Sequence, residues 1–219
     1  FSPASNIPVP PSYTLGPGDK LRIEYFGTEN TTTTKYVSRS GAINLPKVGP
    51  LVVAGLTFAE AEELIMRRVS SELLGAEVFL SLDELRSISV YVLGEAYMPG
   101  SYTVSSLSTL TNLLFVSGGV SEKGSVRNIE LKRNGKTIQV FDLYNLLLSG
   151  DTTEDIRLAD GDVVFIPLLK KTARASGSFR RPHVYEMKSG ESIKDLIFDA
   201  GGFTSSTSGV AKLELNTIN

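Results

Sequence analysis

The first twelve positions show no apolar period and hold four prolines, Pro3, Pro8, Pro10 and Pro11. That predicts an extended, weakly ordered leader over residues 1–12. Regular alternation starts after the turn-rich Tyr13-Thr14-Leu15-Gly16-Pro17-Gly18-Asp19. Leu21, Ile23 and Tyr25 alternate with Arg22 and Glu24, as in a half-buried strand. Short strands are predicted at 42–45 and 51–53. The period then becomes helical: Phe58, Ala61, Leu64, Ile65 and Val69 share one face, and Thr57 with Glu60 forms a capping box ahead of them. Val78, Leu80 and Leu82 return to strand alternation. Strands around a single helix predict a small α+β unit over 13–87.

The rest of the chain repeats itself. Gly94, Pro99, Tyr102, Leu113, Phe115, Gly118 and Gly119 recur 83 residues later as Gly177, Pro182, Tyr185, Leu196, Phe198, Gly201 and Gly202. One inserted residue near Gly209 then brings Ile129-Glu130-Leu131 onto Leu213-Glu214-Leu215. Identities at a constant offset, most of them at glycine, proline or aromatic positions, mark a duplicated module. Each copy predicts a strand, a turn at Pro99-Gly100 or Pro182-His183, and a second strand. A short helix follows, starting at Thr109 or Ser192 and stopping at a glycine pair. In the first copy, two strands flank Asn134-Gly135, a pair suited to a type I′ turn. A helix over 142–148 and a strand over 163–166 close that copy. The pattern predicts tandem β-grasp modules, one over 88–168 and an incomplete one, with its linker, over 169–219. Tyr102, Tyr185, Phe115 and Phe198 are expected in the cores.

These stretches resemble a known family. Gly16-Pro17-Gly18-Asp19 before an alternating strand, then Gly41-Ala42-Ile43-Asn44-Leu45-Pro46 with Gly49, then Gly55-Leu56-Thr57, is similar to the polysaccharide export domain of Gram-negative outer-membrane export proteins. Val90-Tyr91-Val92-Leu93-Gly94, Pro99-Gly100-Ser101-Tyr102 and the later Gly118-Gly119 resemble the soluble-ligand-binding β-grasp (SLBB) module that follows it there. Ser40 departs from the acidic residue that often precedes the glycine at 41. The resemblance implies a ring-shaped homo-oligomer on the periplasmic side of the outer membrane. It also implies an inner-membrane polysaccharide co-polymerase as partner, and a capsule polysaccharide or exopolysaccharide as the cargo passed outward. No cofactor is implied.

Charge and composition narrow the chemistry. Hydrophobic residues are 41% and charged residues 21%, the balance of a folded protein, and the net charge of −2 lacks the basic excess of a nucleic-acid binder. There is no cysteine and one histidine, His183, so thiolate chemistry and a His-rich metal site are excluded. No Gly-x-Ser-x-Gly elbow accompanies His183, and the expectation is a non-enzyme with no catalytic, cofactor-binding or metal residues. Residues 119–125 have phosphate-loop spacing but follow a helix and lack the lysine. Asp151, Glu154, Asp155, Asp160 and Asp162 miss calcium-loop spacing and read as solvated turns.

A basic cluster, Lys170, Lys171, Arg174, Arg180 and Arg181, reads as linker and hairpin tip. Its sharper reading has Arg180 and Arg181 touching acidic glycan or a neighbouring subunit's carboxylates, such as those near Asp155. Two functions compete: an oligomeric export component, and a monomeric periplasmic glycan-binding β-grasp protein. A polysaccharide-active enzyme stands well behind both. The absence of Trp and the expected burial of the repeat aromatics favour assembly. The start at Phe1-Ser2-Pro3 predicts a mature or trimmed form. The half module at the end predicts completion by further chain or by another subunit.

Overall fold

The computed structural model describes residues 9–27, 30–73, 75–204 and 211–217. The chain forms two compact units, one made of residues 1–88 with 104–107 and the other of 89–103 with 108–219. The fold is α+β, with four helices and 13 strands among the described residues.

In the first unit β1 (Lys20–Phe26) is the middle strand of an antiparallel sheet, between β2 (Thr31–Tyr36) and β5 (Glu77–Glu84). A separate hairpin pairs β3 (Ala42–Leu45) with β4 (Gly49–Val52). The helix α1 (Phe58–Glu72) starts at the expected capping box: the Glu60 amide donates to Thr57 Oγ1 at 3.2 Å and the Thr57 amide to Glu60 Oε2 at 2.8 Å. Its buried face, Ala61, Ile65 and Val69, joins Leu21 and Ile23 of β1, Leu80 of β5, and Ile43, Leu45 and Leu51 of the hairpin in one core. Each buried aliphatic side chain contributes roughly 1.5–3 kcal/mol. Strand β2 has no apolar alternation and was not predicted. Its sequence, TTTTKY, forms a strand because pairing along the edge of β1 satisfies its backbone, and the β-branched threonines suit that geometry. The end of the leader differs from expectation too. Val9 packs partly buried against the core, and the Pro11 carbonyl accepts the Ala59 amide; residues 1–8 lie outside the described residues.

The second unit carries the repeats. β6 (Ser87–Gly94), β7 (Gly100–Ser105), α2 (Leu110–Val116), β8 (Ile129–Arg133), β9 (Lys136–Phe141), α3 (Leu143–Ser149) and β10 (Val163–Ile166) form the first copy. The sheet order is β7-β6-β10-β8-β9, with β10 parallel to β6 and antiparallel to β8. The β8–β9 turn has φ of 51° at Asn134 and 75° at Gly135, as a type I′ turn requires. Gly94 ends β6 at φ 80°, and a side chain there would run into the Ile166 carbonyl oxygen. Only glycine lets β10 lie against it.

The second copy has β11 (Lys171–Gly177), β12 (His183–Glu186), α4 (Ile193–Asp199) and β13 (Ala211–Thr217), ordered β12-β11-β13. Here β13 pairs directly with β11, whereas its counterpart β8 is separated from β6 by β10. The helices reflect the same difference. Leu110 of α2 is fully buried, while Ile193, its repeat partner on α4, is 55% exposed. The insertion near Gly209 lies outside the described residues. The basic stretch read from its charge as linker carries strand β11, where the repeat predicts a strand; it holds Lys171 and Arg174 and buries Thr172, Ala173 and Ala175. Alternating small residues between the cations give it a buried face, which charge alone obscured.

Candidate functional site

The sequence motifs of the first unit converge on Asp19. Its carboxylate is fully buried and accepts the Gly16 amide (2.9 Å), the Tyr13 hydroxyl (2.7 Å), the Arg86 amide (2.8 Å) and Arg86 Nη1 (2.5 Å). Tyr13 in turn shares a 2.7 Å hydrogen bond with Ser106, and burial raises its pKa. Gly16 leaves room for the Arg86 guanidinium, which lies where a Cβ would stand. Pro17 and Gly18 make the turn between them, with Gly18 at φ 97°. Gly41 faces Ala54, Pro46 and Gly49 flank the β3–β4 turn, and Gly55 follows that hairpin. These residues build a buried ion pair and its supporting turns.

A second buried network joins the two repeats. The Arg127 guanidinium is 8% exposed and donates to Asp142 (3.1 Å), to both Glu191 oxygens (2.8 and 2.7 Å) and to the Glu186 carbonyl (3.1 Å). It also lies 4.7 Å from the Tyr144 ring centre, with Asp199 3.7 Å away. The Glu186 carboxylate is buried and accepts Ser125 Oγ and the amides of Val126 and Arg127. The Tyr144 hydroxyl accepts the Glu186 amide, and burial pushes its pKa up to about 12. Burial opposes the Arg127 charge, but the Glu191 and Asp142 carboxylates outweigh it and raise the pKa. Burial, reinforced by nearby carboxylates, raises that of Asp199. Sequence reasoning missed this network. Its partners lie about sixty residues apart, and Glu186 aligns with Thr103 in the other repeat, so neither spacing nor repetition marks it.

The repeat aromatics do not all lie in the core. Tyr185 is buried and Tyr102 half-buried, but Phe115 is 59% exposed and Phe198 75% exposed. Both sit on the last turn of a seven-residue helix, whose inward face is already filled by Leu113 or Leu196. Periodicity placed them one step off that face and their apolar character misled. Beside each phenylalanine the two residues before the turn proline lie over a glycine. Tyr97 and Met98 cover Gly118, and Arg180 and Arg181 cover Gly201. Around Phe198 an open groove of about 490 Å³ is lined by Leu148, Arg181, Lys194, Ile197, Gly201 and Gly202.

The other candidates scatter. Pro99 precedes β7 and Gly100 opens it, Pro182 precedes β12, Gly119 follows α2 and Gly177 ends β11, both with positive φ. His183 is exposed and meets only the Tyr185 ring, edge-on at 6.1 Å. The five carboxylates of the acidic stretch are each held by an internal donor. Asp151 accepts the Thr153 amide, Glu154 accepts Asn145, Asp155 accepts the Thr111 amide, and Asp160 accepts the Ser89 amide. Asp162 is bidentate with Arg133 at 2.8 Å. Among the described residues no group of His, Asp and Glu is arranged to hold a metal ion.

One helix on a sheet followed by duplicated β-grasp modules, their motif residues spent on turns and buried ion pairs, is a modular α+β build. Comparison with known proteins agrees. Residues 7–83 match the polysaccharide biosynthesis/export protein family, and residues 89–166 and 175–210 each match the SLBB domain. The chain therefore carries one polysaccharide biosynthesis/export domain followed by two SLBB domains. It is 30% identical over 180 residues to the polysialic acid transport protein KpsD of Escherichia coli, covering 81% of this chain and 32% of KpsD. It is 27% identical over 196 residues to the EPS I polysaccharide export outer membrane protein EpsA of Ralstonia nicotianae, covering 88% of this chain and 51% of EpsA. The chain thus spans about a third and about half of these relatives' lengths. Among the described residues no helix is long and apolar enough to cross a membrane.

Proposed function

We propose that this chain is the periplasmic part of an outer-membrane polysaccharide export apparatus, and that it works by assembling with further copies of itself rather than by catalysis. The order of one export domain and two SLBB domains, in a chain similar to relatives named for polysaccharide export and transport, is the observation that carries this reading. The domains run over 13–87, 88–168 and 169–219. The cargo is a capsule polysaccharide or exopolysaccharide, and the inner-membrane partner is a polysaccharide co-polymerase. Rigid modules suit such a part, because a wall held open for a polymer needs fixed angles between its units, and the Arg127 network supplies one.

The test has two readouts on the full-length protein. A strain lacking its own copy should regain surface polysaccharide when the gene is returned, and the protein extracted in mild detergent should run as one large, discrete oligomer. Loss of export with normal synthesis in the deletion strain supports the reading; unaltered export in that strain overturns it. The glycan-binding alternative gains from one observation, the exposure of Phe115 and Phe198. It predicts a monomer that binds glycan without supporting export.

A further inference from the structure

The repeat comparison separates two kinds of exposure on the second module. Ile193 is open and Ile197 only half-buried where Leu110 and Leu114 are covered by their own module. Arg180, Arg181 and Phe198 differ from them. Their counterparts Tyr97, Met98 and Phe115 stay 69%, 48% and 59% exposed in the first module, where β10 is in place. The spot beside the glycine is therefore surface in both copies, and both copies keep a phenylalanine on it. What changes between copies is its charge. The first offers Tyr97 and Met98, and the second offers Arg180 and Arg181; Lys194 is exposed where its counterpart Thr111 is buried, so it belongs with Ile193.

No ion pair among the described residues includes Arg180, Arg181 or Lys194. Arg180 Nε donates only to the Phe203 carbonyl, at 3.2 Å. The carboxylates near Asp155, an alternative match for these arginines, are already held by internal donors. A groove of about 490 Å³ falls in the size range of small-ligand sites. It combines an exposed ring, which stacks on the apolar face of a pyranose, with guanidinium forks that match a carboxylate.

We propose that the groove bounded by Arg181, Lys194 and Phe198, with Arg180 at its rim, is a subsite for an acidic sugar residue of the glycan. The proposal rests on the export reading above and names its substrate class as anionic. Phe198 stacks on the ring of one sugar, and Arg180 and Arg181 take its carboxylate. The first module offers the same glycan an uncharged aromatic surface, so the second selects for charge. Exposed cations contribute modestly, so binding at one groove is weak and salt-sensitive, as suits a polymer that must move on.

The test titrates the 219-residue chain with oligosialic acid and with maltohexaose, at low and at high salt, by heteronuclear NMR. Oligosialic acid should shift amides of 180–183 and 193–202, with affinity falling as salt rises, and maltohexaose should leave them unmoved. R180E/R181E should weaken the acidic oligomer about tenfold, and F198A should do so severalfold. Both change exposed side chains, so an unaltered thermal transition confirms that folding is intact. Equal binding of the neutral oligomer, binding of neither, or an undiminished R180E/R181E variant overturns the proposal. A concentration-dependent mass that only R180E/R181E abolishes, without glycan binding, gives the groove to a second copy and likewise overturns it. Export by the wild-type protein in the deletion strain reports separately: export without binding sinks only the subsite, and binding without export sinks only the export reading.

Discussion

Asp19 shows how a motif residue gains its importance from where it is buried. The carboxylate has no solvent contact and four internal donors, among them Arg86, which is itself three-quarters covered. Removing one partner of such a pair leaves the other's charge uncompensated. Asp19→Ala should therefore destabilise the first unit by about 3 kcal/mol in urea unfolding, and a cost below about 1 kcal/mol would show that the network is dispensable. Gly94 and Gly119 make a second contrast at this scale. Both have φ near 80°, but a side chain at Gly94 meets the Ile166 carbonyl while one at Gly119 meets open space. Gly119→Ala should cost about 1 kcal/mol for its backbone alone. Gly94→Ala should cost clearly more and loosen β10, seen as faster amide exchange at Phe165 and Ile166. The glycines were legible as turn formers in the sequence, but which of them also faces a neighbouring strand was not.

Among the elements, the helices and hairpins follow their local signals closely, because caps and turn pairs act within a few residues. Thr57, Thr109 and Ser192 each start a helix with a reciprocal cap from the residue three positions on. The joint between the repeats is different. It places Arg127 against Asp142, Glu191 and Asp199 and meets Glu186 with the loop at 125–128, so the sheets of both repeats are tied at one point. Arg127→Met should cost about 3–5 kcal/mol and release the second repeat to limited proteolysis before the first. Unchanged proteolysis would mean that apolar contacts around Tyr144 suffice. Asp199 pulls the other way. Its pKa is raised by burial, so the folded state holds the proton more tightly than the unfolded state, and stability is lost as pH rises above the ordinary aspartate value of about 3.9. Asp199→Asn should therefore raise the unfolding temperature at neutral pH. The gain should vanish below about pH 4, where Asp199 itself is protonated.

For the whole molecule, two compact units predict two separable unfolding steps. Asp19→Ala should shift one transition in calorimetry and Arg127→Met the other; a single transition moved by both would show one cooperative unit. The order of elements, the duplication and the family were legible because each rests on local periods or on repeated short motifs. The sequence by itself determined that α1 buries Ala61, Ile65 and Val69, that Asn134-Gly135 turns a hairpin, and that two copies of one module follow the export domain. Only the tertiary structure decided the rest. Thr31–Tyr36 became a strand because an adjacent edge was free. Phe115 and Phe198 fell on the surface because Leu113 and Leu196 had already filled the inward face. Asp19 with Arg86, and Arg127 with Glu186 and Glu191, pair across about sixty positions or more, and such pairing is set by which surfaces meet after folding. No local pattern in the chain carries that information.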